Sequence, residues 1–303
     1  MLKDGEELAR IPMEDLGVLV LDGPGLSLSS SILEGVAETG AVLIACGSDH
    51  MPAAILHPIA GHSTQTERIR SQVQAAKPLR KNLWARVVRA KLLAQAAAAP
   101  HEHARRHIER IASEVRSGDS ENAEGQAARS YWSTFFADCD PRIIELPFVR
   151  QRAGPPPNNL LNYGYAILRA AVVRGLCGSG LHPGIGIQHH GKYDSFALAS
   201  DMMEPFRPWV DLRVRHLVRD GDLGLARHTK AHLLEVLTDP VVYAEGQGPL
   251  LAATERCCAS LAEAFLAAGR GAGAHEAAAL LVLPSMPSVP ESDPVGEDLD
   301  QEE

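Results

Sequence analysis

Two short branched apolar runs open the chain. Gly17-Val18-Leu19-Val20-Leu21-Asp22 stops at the turn residues Gly23-Pro24-Gly25, and Ala41-Val42-Leu43-Ile44-Ala45-Cys46 repeats the pattern, so both read as strands. Between them, residues 31–39 place Ile32, Leu33 and Val36 at helical spacing. The period changes after the proline-containing stretch 51–62. From about Thr66 onward apolar residues recur at three and four, as in Leu79, Leu83, Val87 and Leu92, with Lys91 on the same stripe. Further helices are predicted over 102–115, 122–136, 158–176, 193–203, 208–217, 229–238 and 249–268. The pattern predicts an α+β chain with a small N-terminal β-rich domain, residues 1–62, followed by a larger all-α domain, residues 63–283. Residues 284–303 hold four prolines and seven acids with few apolar groups. Such a segment cannot offset the entropy of ordering and is expected to be disordered.

Composition narrows the class. With 303 residues, 45% hydrophobic and 22% charged, the chain can bury a sizeable core. It has no run of 18 apolar residues and no signal-like opening, so a cytoplasmic protein is expected. Its five cysteines include the adjacent pair Cys257-Cys258 and show no CxxC spacing, which argues for reduced thiols over a disulfide framework or a structural zinc site. The formal charge of -9 is unevenly spread: without the seven acids of the tail, residues 1–283 carry only -2. Residues 61–110 hold eleven Lys or Arg against three acids, whereas residues 1–60 hold nine acids and two bases. That asymmetry raises the question of a phosphate partner, although a solvated helical face is the commoner explanation of a charge run.

Several familiar sites are absent. There is no GxxxxGK[ST], no strand-linked GxGxxG, no GxSxG and no HExxH. His103 and His107 lie four apart but flank Arg105 and Arg106 on a polar helix, so an exposed face explains them better than a metal. Glu124 is followed by Ala127, Ala128, Tyr131 and Phe135, which puts its carboxylate on the apolar face of its own helix. A buried carboxylate needs a cation, strong donors or a raised pKa, and a core arginine such as Arg129 or Arg169 competes here with a metal. Asn158 can cap the next helix, and Asn162 must find partners inside it. Glu204 precedes Pro205 and therefore stands either at a helix C-terminus, compensated by Arg207, or at the start of a new helix. His189 and His190 offer imidazole, and Asp201 lies one turn before Glu204. Two carboxylates and an imidazole around one point would suit Mn²⁺ well and Mg²⁺ adequately, but spacing does not show that they converge.

The order of these segments resembles the CRISPR-associated adaptation integrases, the Cas one family, in the form found beside type II effectors. The matching blocks run from Ile11-Pro12-Met13-Glu14 to Asp22, through His50-Met51-Pro52, Gly61-His62-Ser63 with Glu67-Arg68, and Glu124 to Trp132. They continue through Asn158 to Arg169, Leu181-His182-Pro183 to His189, and Phe196 to Asp211. The resemblance covers roughly residues 8–240. It implies a β-rich N-terminal domain and a helical domain holding Mg²⁺ or Mn²⁺, with the family's ligands falling on Glu124, His189 and Glu204. It also implies a homodimer, two of which flank a dimer of the small partner Cas two in a hetero-hexamer. Relatives carry another pair of strands before the position of Glu6, so the N-terminal sheet is expected to lack a strand.

The implied activity is that of a metal-dependent DNA endonuclease and integrase. A 3′-hydroxyl of a captured double-stranded DNA fragment attacks a phosphodiester at the border of the CRISPR repeat. On this view Arg68, Arg70, Lys77, Arg80, Lys81, Arg86, Arg89 and Lys91 are expected to lie along DNA phosphates. Two other classes stay open: a catalytically silent DNA-binding architectural subunit, and a stand-alone metal-dependent nuclease acting on branched DNA.

Overall fold

The computed structural model describes residues 2–3, 6–7, 10–23, 25–48, 52–56, 62–243 and 246–287. Two short strands, β1 (Leu2–Lys3) and β2 (Glu6–Glu7), pair antiparallel. The main N-terminal sheet has three strands: β3 (Val18–Leu21), β4 (Val42–Cys46) and β5 (Pro52–Leu56), in that spatial order. β3 and β4 run parallel and are joined through helix α1 (Ser30–Glu38), while β4 and β5 run antiparallel. Strand β5 falls in the stretch whose proline masked it in the sequence; Pro52 sits at the first position of an edge strand, where a missing N–H disrupts no ladder.

Both faces of this sheet are covered, which explains why its strands read as unbroken apolar runs. Leu43 and Ala41 pack with Val36 of α1 and with Leu19 and Leu21. The alternate residues Val42 and Ile44 pack on Ala170 of a helix in the larger body.

That body comprises α2 (Gln65–Gln74), α3 (Lys77–Ala98), α4 (Glu102–Glu114), α5 (Ala123–Phe135), α6 (Asn158–Gly178), α7 (Ala197–Met203), α8 (Arg207–Arg219), α9 (Arg227–Leu234), α10 (Leu250–Gly269) and α11 (Ala274–Ala279). The long helices α3 and α6 are buried around most of their circumference and form its centre. Gly164 brings α6 against α8: a Cβ there would lie 2.5 Å from Val210 Cγ1. The sheet is tied to the body by polar contacts as well. Lys230 of α9 meets Asp22 at 2.5 Å, and Arg174 of α6 donates to the carbonyl of Gly40.

The structure departs from the sequence reading in further places. A hairpin of β6 (Pro240–Tyr243) and β7 (Gly246–Pro249) stands within the helical part, too short and glycine-rich to show an alternating pattern. Helix α7 begins at Ala197, not at 193, because residues 191–194 form a turn and the amides of Leu198 and Ala199 donate to the Pro183 carbonyl. Asn158 is no cap: it is the first residue of α6, after Pro157, and its side chain accepts from Arg150 and from the Gln151 amide. Ser285 pairs with Val242 of β6, so ordered chain extends past the expected boundary at 284. The rest of the acidic tail, residues 288–303, lies outside the described residues, as do His50, Met51 and Gly61. No described helix is long and apolar enough to cross a membrane.

Candidate active site

Glu124 stands in the first turn of α5, and its backbone position is fixed by a double cap. Asp119 accepts from the amides of Ala123 and Glu124 at 2.8 and 3.2 Å. Asn122, in the left-handed region at φ 56°, accepts from the Gly125 amide. Glu204 begins a single 3₁₀ turn, Glu204–Phe206, between α7 and α8. Its carboxylate is 5% exposed, and Arg207 pairs with it at 2.8 Å, as the compensation argument expected.

The two carboxylates converge on one point, and a lysine ammonium occupies it. Lys91 Nζ lies 2.6 Å from Glu124 Oε1 and 2.5 Å from Glu204 Oε2. Burial lowers the Lys91 pKa, but Glu204 and Glu124 outweigh it and hold the ammonium charged. Burial likewise pushes the Glu204 carboxyl up, against the stronger combined pull of Arg207 and Lys91, and the net direction is down. Neither the Arg129 nor the Arg169 partner considered for Glu124 is the one used. The sequence signal for Lys91 was a lysine on the apolar stripe of Leu83 and Val87.

His189 borders the same site with 46% of its side chain exposed and the edge of Trp84 packed near it, ring centroids 6.0 Å apart. Its orientation comes from Asp201, a fully buried carboxylate. Asp201 accepts backbone N–H groups from Ile187 at 2.6 Å, Gln188 at 3.0 Å and His189 at 3.1 Å, and it meets His189 Nδ1 at 2.6 Å. A carboxylate already accepting three amides requires a donor at Nδ1, so a proton is assigned to that nitrogen. The hydrogen bond to Asp201 raises the His189 pKa, with Glu204 and Glu124 adding to it. The loop reaches this geometry because residue 186 is glycine: a Cβ there would lie 2.2 Å from the His189 carbonyl oxygen.

A second layer holds the first. Arg207 lies over the ring of Tyr165, 4.7 Å from its centroid, and Arg150 lies 5.4 Å from the same centroid. Arg150 also donates to Asn158 and Asn162, which gives the mid-helix Asn162 a partner. Tyr165 and Tyr131 both donate to Asp211. Burial pushes the Asp211 carboxyl up to about 7 despite those two hydroxyls and the nearby Arg207 and Arg150.

The structure thus brings Glu124, His189 and Glu204 to one place, with Asp201, Arg207 and Lys91 among them. Among the described residues no three His, Cys, Asp or Glu side chains are close enough to hold a metal as they stand. The physical reason is visible: Lys91 fills the point between the carboxylates, and His189 is held back on Asp201. His103 and His107 are not part of the site, and His107 Nδ1 faces Arg110.

The structure divides the residues of the expected phosphate track, and Lys91 departs from it. Lys91 is buried in the site, between the two carboxylates. Arg68 donates to Ser179 and Glu263, Arg80 to the carbonyls of Ala75 and Val73, Arg86 to Leu281, and Arg89 to Ala112 and Val115. These guanidiniums cap and cross-link helices, so Arg70, Lys77 and Lys81 are left as the exposed members without such bonds among the described residues.

Comparison with known proteins agrees with this architecture. The family described as CRISPR associated protein Cas1 matches residues 1–237. A CRISPR-associated endonuclease Cas1 from Neisseria meningitidis serogroup C (strain 8013) is 35% identical over 242 residues, 78% of this chain and 77% of the relative. Among solved structures, a casposase bound to integration product superposes with a TM-score of 0.70 at 18% identity, covering 86% of this chain and 81% of that one. A chain of a Cas6-RT-Cas1–Cas2 complex superposes at 0.69 with 17% identity, over 88% of this chain and 32% of that one. On the family match and the Neisseria relative, this chain belongs to the Cas1 family of CRISPR-associated proteins.

Proposed function

We propose that this chain is an integrase of CRISPR adaptation that joins 3′-hydroxyl ends of captured double-stranded DNA fragments to the repeat array. In this reading it acts as a homodimer together with the small partner Cas2. Family membership, a casposase neighbour described as bound to integration product and a neighbour described as a Cas1–Cas2 complex support this reading. The observation that carries it is the convergence of Glu124 and Glu204 on a single positive charge beside an imidazole whose Nδ1 is held by Asp201.

The donor set fits a hard divalent cation. Two carboxylates and one imidazole nitrogen suit Mn²⁺ and Mg²⁺, and the ammonium between the carboxylates marks where positive charge is stabilised. Glu124, His189 and Glu204 would hold the ion once Lys91 yields its place. The His189 Nδ1–H to Asp201 bond is the usual support of a ligating histidine, since it fixes the ring and leaves the other nitrogen free. When bound, the ion supplies Lewis-acid stabilisation of the charge that grows on the phosphate oxygens.

The reaction is a transesterification. The fragment's 3′-oxygen forms a bond to phosphorus while the repeat strand's ester oxygen leaves, so one phosphodiester replaces another and no hydrolytic energy is needed. The attacking hydroxyl loses a proton and the leaving oxygen gains one. Arg207 keeps Glu204 ionised and in place, and it lies over the ring of Tyr165, whose hydroxyl is bonded to Asp211.

One observation favours a second reading. An ammonium that already neutralises both carboxylates is what a catalytically silent architectural subunit would carry. A strand-transfer assay separates the classes. The purified chain is mixed with its small partner, a fragment with 3′-hydroxyl ends and a plasmid carrying the array, in Mn²⁺, Mg²⁺ or EDTA. Joined strands that depend on metal support the integrase, nicks without joining indicate a nuclease, and bound but unaltered DNA indicates a scaffold.

A further inference from the structure

Helix α3 carries alanines at 90, 94 and 97, which share one face at helical spacing and leave a furrow there. The segment after α11 lies alongside that furrow and is anchored twice. The Val282 amide donates to Ser260 Oγ at 2.9 Å, and Ser285 pairs with Val242 of β6. Between helix and segment is a cleft of about 290 Å³, at the lower edge of the size of ligand pockets. Along α3 its lining runs from Arg86 and Arg89 past Leu93 to Ala97, and its facing wall is formed by residues 283–286. Leu93 is 50% exposed, so the cleft has an apolar rim beside two guanidiniums.

Those guanidiniums stand one helical turn apart and carry the same sign. Arg86 gives Nη2 to the Leu281 carbonyl at 2.9 Å, and its Nε is buried without a partner. Arg89 gives Nε and Nη2 to the carbonyls of Ala112 and Val115 at 3.2 and 2.9 Å. A guanidinium has five N–H groups, so each keeps donors to spare. Among the described residues both bond only to neutral carbonyls, and no carboxylate pairs with either. Burial lowers the Arg86 pKa and the charge of Arg89 lowers it further, as befits positive charge without a counter-ion.

The missing partner is an anion with apolar groups beside it. A DNA backbone offers phosphates but nothing apolar to cover Leu93. The chain itself offers both. Met286 lines the cleft, and residues 288–303 follow it with seven acids and no Lys or Arg. Glu291 and Asp293 come five and seven positions after Met286, within a reach of roughly 17 and 24 Å, and Val289 and Pro290 stand just before them. A tether that short holds their effective concentration in the range of about millimolar.

We propose that the cleft between α3 and the 283–286 segment is a carboxylate-binding site for the chain's own C-terminus, with Glu291 and Asp293 on the Arg86–Arg89 pair and Val289 against Leu93. The acidic end is then an intramolecular ligand that neutralises the pair and withholds it from other anions. The inference goes beyond the integrase reading and does not depend on it.

The test uses the full chain with the photocrosslinking residue p-benzoylphenylalanine in place of Ser292, and peptide mass mapping of the products. Crosslinks within one chain to residues 86–97 or 283–286 are expected at low salt. They should be lost in Glu291→Gln/Asp293→Asn, whose changes lie outside the packed body and leave its fold alone. They should also be lost in Leu93→Glu, which sets a negative charge on the exposed rim. Raising the salt should weaken them, because the contact is between charges. Crosslinks to this cleft that survive the double substitution overturn the carboxylate recognition. Absence of crosslinks to the cleft overturns the site, and crosslinks joining two chains overturn the intramolecular assignment in favour of a second copy.

Discussion

Replacing Lys91 by methionine keeps most of the side chain's stem and volume while deleting the charge that Glu124 and Glu204 share. Lys91 is 8% exposed and lies 2.6 and 2.5 Å from the two carboxylates. Removing one member of a buried ion pair leaves uncompensated charge, at a cost of roughly 3–5 kcal/mol. Arg207 still pairs with Glu204 at 2.8 Å, which places the expected loss near the lower end, about 3 kcal/mol. For a body of this size each kcal/mol moves the midpoint by roughly 2–4 °C, so Lys91→Met should melt about 6–12 °C below wild type in EDTA. A divalent cation can replace the missing ammonium. Adding Mn²⁺ should narrow the gap, and isothermal titration should show tighter Mn²⁺ binding to Lys91→Met than to wild type, because no resident cation has to leave. Midpoints equal in EDTA, or a gap that Mn²⁺ leaves untouched, would refute the reasoning.

Three further outcomes follow from the surrounding geometry. Asp201→Asn removes the carboxylate that orients His189, and Mn²⁺ affinity measured by calorimetry should fall about ten- to a hundredfold; unchanged affinity would exclude Asp201 as the orienting group. Asp211, with its carboxyl raised to about 7, binds more protons folded than unfolded between the ordinary aspartate range near 4 and about 7. Its contribution to stability therefore declines as pH rises through that window, so the midpoint of wild type should drop relative to Asp211→Asn from pH 4 to 7. Parallel curves would contradict the raised value. Gly164→Ala puts a methyl 2.5 Å from Val210 Cγ1, which forces α6 and α8 apart and should cost about 1–3 kcal/mol in denaturant unfolding; a neutral variant would show that the contact relaxes freely.

The long elements were legible because hydrophobic spacing dominates them. The stripe of Leu79, Leu83 and Val87 becomes α3, and the two branched runs become β3 and β4. Strand β5 and the β6–β7 hairpin escaped because proline and glycine interrupt short runs whose pairing is decided by distant partners. The site divides in the same way. Glu124 was conspicuous as an acid on an apolar face, and its need for a cation could be stated without knowing which. Lys91 was misplaced because counting charges cannot tell a lysine on an apolar stripe from its neighbours on a solvated face. The arginines around it look like a phosphate surface in sequence, yet Arg86 and Arg89 reach carbonyls of residues 281, 112 and 115 that only the fold brings near. Asp201 was noted for its place one turn before Glu204, but its grip on the 187–189 backbone depends on a loop that Gly186 lets fold back.

The most direct measurement of the central claim is strand transfer by the wild type beside Glu124→Ala, His189→Ala and Glu204→Ala, each confirmed folded and able to bind the fragment. In Mn²⁺ or Mg²⁺ with the small partner present, the wild type should join fragment ends to the array and all three variants should yield no joined product. Joining that persists in any one variant at the wild-type rate, or a wild type that binds the fragment and never joins it, would contradict the assignment of these three residues as the centre of the reaction.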